Sequence, residues 1–153
     1  MMIAYITEEQ ALQIHGKTIE LSGGGDEGII NIGYLSSALE HIQNDDYYPS
    51  FEAKLVHLVW SVNRNHTFSD GNKRLSITLG AQFMLQNGYL FCVKRFLYEM
   101  ENISYHLAAG RIEKELLEKL IHSILIGEGD FDEALKLEYA IACDGQTGFS
   151  EDC

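Results

Sequence analysis

Apolar residues recur along this chain at spacings of three and four, the repeat of a helix with one buried face. The clearest stretch runs from Phe51 to Arg64, where Phe51, Leu55, Leu58, Val59 and Val62 fall at i, i+4, i+7, i+8 and i+11. A second covers Glu113 to Ile126, with Leu116, Leu117, Leu120, Ile121, Ile124 and Leu125 on one stripe and Gly127 as its stop. Between them the pattern predicts a helix from Asn72 to Asn87 ended by Gly88, and another from Lys94 to Ala109 ended by Gly110. Glycine suits these ends because it enters the left-handed backbone without steric cost. The Asn72 helix differs from the rest. Leu75, Ile77, Leu79, Ala81, Phe83, Met84 and Leu85 cover most of its circumference and leave one narrow polar stripe of Arg74, Thr78, Gln82 and Gln86. A helix that is apolar nearly all round belongs in the middle of a bundle.

Local signals fill in the remainder. Thr7 is placed to cap a first helix, with Gln10 completing a capping box and Ile6 and Ala11 forming a hydrophobic staple. That helix must stop by Ser22-Gly23-Gly24-Gly25. Gly28 to Gly33 is rich in β-branched residues and bounded by glycines, so it reads as a short extended segment or flap. A second helix is expected over Leu35 to Gln43, broken by Asn44-Asp45-Asp46, with Pro49 ahead of the next. Tyr89 to Val93 reads as briefly extended. Asp130 and Glu133 suggest a capping box for a last helix to about Ala142, and Gly145 to Cys153 reads as a loose tail. The fold class is therefore all-α, a helical bundle with a short flap. Residues 1–127 form its main domain, and 128–153 are a C-terminal extension, one helix plus tail, in the same structural unit.

Composition narrows the function. The 153 residues match one domain, and 46% hydrophobic content fills one sizeable core. A formal charge of −12 argues against direct nucleic-acid binding, which needs clustered Lys and Arg, and against an anionic membrane surface. It leaves room for a small basic pocket that holds a nucleotide. Cys92, Cys143 and Cys153 form no CxxC pair, as expected of reduced thiols in a cytoplasmic protein. MMIAYITEEQ does not read as a signal peptide, and no apolar run approaches the roughly 20 residues that span a bilayer.

The candidate chemistry lies in His66-Thr67-Phe68-Ser69-Asp70-Gly71-Asn72-Lys73-Arg74. His66 can take a proton from an attacking hydroxyl near neutral pH. Asp70 can ligate Mg²⁺ between a carboxylate and nucleotide phosphates. Gly71 permits close backbone approach. From Asn72 a helix begins, whose N-terminal amides and dipole attract phosphate. Lys73 and Arg74 add two cations at the same end, the Arg able to grip phosphate in a bidentate way. A base, a metal carboxylate, a helix N-terminus and two cations within nine residues suit phosphoryl transfer. The same residues, taken singly, are compatible with an ordinary turn and a solvated cation pair. The remaining histidines, His15, His41, His57, His106 and His122, lie within helical patterns and read as structural or solvated, and Trp60 reads as core.

The nine-residue stretch is similar to the signature of the Fic/Doc family, His-x-Phe-x-Asp/Glu-Gly/Ala-Asn followed by Gly or Lys and then Arg. The Ile6-Thr7-Glu8-Glu9 opening, the Gly23 to Gly28 region and Phe83-Met84-Leu85-Gln86-Asn87-Gly88-Tyr89 resemble the Doc (death-on-curing) branch. The resemblance makes His66 the general base, Asp70 the Mg²⁺ ligand, Gly71, Asn72 and Lys73 the anion cradle and Arg74 a phosphate contact. It makes Phe68 a core anchor and Gly28 to Leu35 the flap that docks a target chain. Two departures set this sequence apart from the adenylylating branch, which has Gly where Lys73 stands and a second Arg where Ile77 stands. Lys at that place is similar to Doc-type kinases, which transfer the γ-phosphoryl of ATP to a Ser or Thr hydroxyl. The resemblance further implies a toxin that blocks translation, an elongation factor as target and an antitoxin as partner. Ser36 to His41 matches the family's inhibitory helix only in part. AMPylation at the same site and a non-catalytic nucleotide- or protein-binding module are the alternatives.

Overall fold

The computed structural model describes residues 2–21, 32–64, 72–127 and 129–144. Among these, seven helices and no strand are found: α1 (Glu8–Leu21), α2 (Ile32–His41), α3 (Phe51–Arg64), α4 (Asn72–Gln86), α5 (Leu90–Ala108), α6 (Lys114–Ile126) and α7 (Glu133–Asp144). The all-α bundle is as the periodicity predicts. Helix α4 lies at its centre, against α3, α5 and α1, while α3 packs in turn on α2, α5 and α6. Leu75, Leu79, Phe83 and Met84 of α4 are fully buried. Of the apolar side chains of α4, Leu85 alone stands exposed. The polar stripe is not turned to water along its length. Gln86 Oε1 accepts from Gln10 Nε2 of α1 at 3.1 Å and from Gln82 Nε2 at 3.0 Å, and Gln86 Nε2 donates to Ala4 O. Asn87 adds a two-way clasp, accepting the Ala4 amide at 2.8 Å and donating back to its carbonyl at 3.0 Å.

Helices come close together at Gly80. A Cβ there would stand 2.7 Å from Phe96 Cζ on α5 and 3.2 Å from Val59 Cγ2 on α3. Both neighbours are fully buried. Glycine at this point therefore lets α4 lie against both helices at once.

Several ends form as the residues dictate. Thr7 Oγ1 accepts the Gln10 amide and Gln10 Oε1 accepts the Thr7 amide, which is the expected capping box, with Ile6 and Ala11 both buried. Gly88, at φ 90°, closes α4 in a Schellman turn: the Tyr89 amide returns to Met84 O and the Gly88 amide to Leu85 O. Gly110 closes α5 in the same way, with Arg111 N bonded to His106 O and Gly110 N to Leu107 O.

Three expectations need correction. Tyr89 to Val93 is not extended; α5 starts at Leu90. The turn at Gly88 reverses the chain within two residues and stacks Tyr89 on Phe51 at 4.5 Å. Cys92 and Phe96, four apart, then reach the core only as helix positions, so packing overrides the strand preference of the local residues. The last helix is capped by Asp132, whose Oδ1 accepts the Leu135 amide at 2.8 Å. Asp130 instead takes the Phe131 amide and a salt bridge from Lys136. Helix α2 begins at Ile32 rather than Leu35, so Ile32 to Leu35 of the expected flap are its first turn, while residues 28–31 lie outside the described residues. The expected tail at 145–153 lies outside them too. Helix α7 contributes no fully buried side chain of its own; Leu135, Tyr139 and Ala142 rest half-buried against the core beside buried Phe131.

One buried cation was not foreseen. Lys54, only 1% exposed, reaches from α3 to Ile42 O at 2.8 Å and Asp45 Oδ1 at 2.7 Å, with its ammonium 5.6 Å from the Tyr5 ring centre. Burial pulls its pKa down, but the Asp45 carboxylate and Tyr5 outweigh this and hold it above the usual lysine value. It thereby fastens the turn after α2 to α3.

Candidate functional site

Helices α3 and α4 meet the candidate segment from either side: α3 ends at Arg64 and α4 begins at Asn72. Of the predicted site residues, His66, Asp70 and Gly71 lie outside the described residues. Asn72, Lys73 and Arg74 form the first turn of α4, where amides without intrahelical acceptors give the end a partial positive charge. The turn is steadied from within, because Ser76 Oγ, fully buried, donates to Lys73 O at 2.8 Å and Thr78 Oγ1 donates to Arg74 O at 3.1 Å. Lys73 and Arg74 are exposed. The α3 side is fixed by Asn63, whose amide Nδ2 donates to Ser104 O of α5 at 3.1 Å in a fully buried setting. Arg64 lies over the half-buried Trp60 ring at 4.9 Å.

Two groups join this end that sequence reasoning did not include. Tyr105, near the C-terminus of α5, is flanked by two cations, with Lys73 Nζ at 6.0 Å from its ring centre and Arg111 Cζ at 5.8 Å. Arg111 comes from the turn between α5 and α6, placed there by the Schellman closure at Gly110. Its Nη1 donates to His106 Nδ1 at 2.9 Å. Partial burial and then the neighbouring guanidinium push the His106 pKa down. The Gly-Arg pair after a helix stop was visible in the sequence; that Arg111 would share Tyr105 with Lys73 of α4 was not, because that depends on how α5 packs.

The electrostatic consequence is a cationic end on a strongly acidic chain. Among the described residues, Lys54, Arg95, Lys119, His122 and Lys136 pair with carboxylates, whereas Lys17, Arg64, Lys73, Arg74, Lys94, Arg111 and Lys114 do not; of these, Lys73 and Arg74 lie in the first turn of α4 and Arg111 shares Tyr105 with Lys73. Unpaired cations beside a helix N-terminus suit a polyanion. A groove of about 670 Å³ elsewhere has the opposite character, lined by Glu115, Glu118, Asp130, Asp132 and Glu138 among others. It would repel phosphate. No group of three His, Cys, Asp or Glu side chains among the described residues is placed to hold a metal ion. None of the described helices is long and apolar enough to cross a membrane.

The other histidines divide by partner. His122 pairs with Glu52 at 2.7 Å, and His15 is buried. His57 is stacked on Tyr48 at 4.4 Å and contacted by Ser61 Oγ and Lys114 Nζ, both at 3.2 Å. Burial, then the charges of Lys114 and His41, lower its pKa to about 4.

A family model described as the Fic/DOC family matches residues 5–84, just over half of the chain. No curated protein and no solved structure matches it. The matched span takes in α1, α2, α3, the 65–71 segment and nearly all of α4, with Asn72, Lys73 and Arg74 at its cationic mouth. The chain belongs to the Fic/DOC family, whose members transfer nucleotidyl or phosphoryl groups.

Proposed function

We propose that this protein is a Mg²⁺-dependent protein kinase of the Doc type, transferring the γ-phosphoryl of ATP to a Ser or Thr hydroxyl of a target protein. The observation that carries the reading is a set of cations without carboxylate partners among the described residues: Lys73 and Arg74 in the first turn of α4, and Arg111, which shares the Tyr105 ring with Lys73. Position 77 supports the kinase over AMPylation. Ile77, where the adenylylating branch carries a second Arg, lies half-buried against the core and offers the site no charge.

In this reading His66 takes the proton of the target hydroxyl as its oxygen attacks the γ-phosphorus. The bond from that phosphorus to the bridging oxygen breaks, and ADP leaves. The α4 amides, Lys73 and Arg74 hold the phosphates and offset the charge that builds on their oxygens. Asp70 would hold Mg²⁺, which supplies further neutralisation of phosphate charge. By resemblance the wider role is that of a toxin acting on a translation elongation factor in the cytoplasm, restrained by an antitoxin protein.

The test uses ATP labelled separately at the α and γ phosphates, incubated with cell lysate and the purified chain. Transfer of γ label, lost in His66→Ala, is the result expected. Transfer of α label instead would replace the kinase with AMPylation. No transfer of either, with no response to His66→Ala, would favour a binding module.

A further inference from the structure

Helix α5 carries an outer face rich in exposed large apolar side chains, of which Tyr105 alone is flanked by the cations Lys73 and Arg111. Leu90, Phe91, Leu97, Tyr98 and Tyr105 are all exposed, from 41% for Leu97 to 77% for Tyr98. At 3.6 residues per turn they fall with Lys94 and Glu101 on one side of the helix, about 22 Å long. The opposite side, Cys92, Phe96, Met100, Ile103 and Leu107, is the core face.

The order of this face is palindromic. Positions 90, 94, 97, 98, 101 and 105 are spaced 4, 3, 1, 3, 4, with their midpoint between Leu97 and Tyr98. A second copy of α5, laid antiparallel about a two-fold axis at that midpoint, therefore meets the first with Leu90 against Tyr105, Lys94 against Glu101 and Leu97 against Tyr98. Lys94 and Glu101 are exposed, and neither has an ion-pair partner among the described residues. Each would gain one, twice over, in the pair. A two-fold interface must be self-complementary in just this sense.

Charge and area fit the same occupant. Helix α5 contains Lys94, Arg95, Glu99 and Glu101, a neutral balance, in a chain of formal charge −12. Like-charged copies can meet along this strip with least repulsion. The exposed parts of Leu90, Phe91, Leu97, Tyr98 and Tyr105 offer at most roughly 600–700 Å² per copy, somewhat below the about 800 Å² a side of a standard interface and in the range of a weak, reversible pair.

We propose that α5 is a self-association face, on which two copies of this chain pack antiparallel with Lys94 of each against Glu101 of the other. The pairing sets the N-terminal end of one α5 beside Tyr105 of the other, next to Lys73 and Arg111.

Sedimentation equilibrium of the full chain at micromolar concentrations is the test. A reversible dimer is the result expected, with Tyr98→Asp monomeric. Lys94→Glu and Glu101→Lys should each raise the dimer dissociation constant about tenfold or more, since each breaks two pairs. The double variant Lys94→Glu/Glu101→Lys should return to within a few-fold of the parent. These side chains are exposed, so unchanged helical circular dichroism and melting temperature accompany each result. A chain that stays monomeric overturns the proposal. So does a dimer indifferent to Tyr98→Asp, or a double swap that fails to restore association.

Discussion

Gly80 and Gly16 are both inside helices, yet replacing each with alanine should move stability in opposite directions. An alanine gains about 1 kcal/mol over glycine in a helix interior, because glycine loses more backbone freedom on folding. At Gly16 a Cβ meets nothing within 4 Å, so Gly16→Ala should stabilise the protein by about 0.5–1 kcal/mol. At Gly80 the same methyl would stand 2.7 Å from Phe96 Cζ and 3.1 Å from Cε2, inside van der Waals contact. Phe96 is the tip of a flexible side chain in general, but here it is fully enclosed, and Val59 Cγ2 blocks the other side at 3.2 Å. Overpacking a close-packed core costs about 1–3 kcal/mol. After subtracting the helix gain of about 1 kcal/mol, Gly80→Ala should destabilise by up to about 2 kcal/mol, or up to roughly 8 °C in melting temperature for a domain of this size. Urea unfolding followed by circular dichroism measures both variants, with an unchanged slope showing that only stability has moved. Phe96→Leu should cost less in the Gly80→Ala background than alone, the coupling expected of touching groups. If Gly80→Ala proved as stabilising as Gly16→Ala, the close approach of α4 to α3 and α5 would be refuted.

Lys54→Met should destabilise by about 2 kcal/mol, because it strands the Ile42 carbonyl and removes charged hydrogen bonds. Asp45→Asn should cost below about 1 kcal/mol, since that carboxylate is 78% exposed; equal costs in urea unfolding would contradict this ranking. Acid should weaken the fold through His57. Its folded pKa of about 4 lies below the ordinary 6.5, so the unfolded chain takes up the proton first and stability falls as pH drops from 6.5 towards 4. The shift is discounted for a half-exposed ring, which leaves about 1–2 kcal/mol over that window. The lowered His106 pKa acts in the same direction, and His57→Gln should flatten the pH profile of unfolding. Arg111→Ala should raise the ATP dissociation constant about tenfold in titration calorimetry, the loss of one charged contact to phosphate. An unchanged affinity would remove Arg111 from the site.

The bundle was legible wherever local chemistry agreed with packing. Thr7 and Gln10 carry both halves of a capping box in their own side chains, and Gly88, Gly110 and Gly127 close helices at the positions their neighbours predict. The sequence reading failed where a distant partner decides. The Tyr89 to Val93 run looks like a strand until the core face formed by Cys92 and Phe96 is known. Asp130 and Asp132 are equally good caps on paper; the salt bridge from Lys136 claims the first and leaves the second to the helix. Nothing local marks Lys54 as buried, because its acceptors belong to a turn nine and twelve residues away. For the candidate site, the order Asn72-Lys73-Arg74 at a helix start could be read directly. Arg111 and Tyr105 could not, since only the crossing of α5 past α4 brings them there.

The clasp between Ala4 and Asn87 joins positions 83 residues apart, and Gln86 adds a third thread. During synthesis the opening segment is made first, but its acceptor and donors appear only once α4 has cleared the ribosome. Until then the edge of α1 that Gln10 will offer to Gln86 has nothing to hold. Closure of the family segment is thus a late, long-range event that waits on translation, and loop-closure entropy makes it slow compared with winding any one helix.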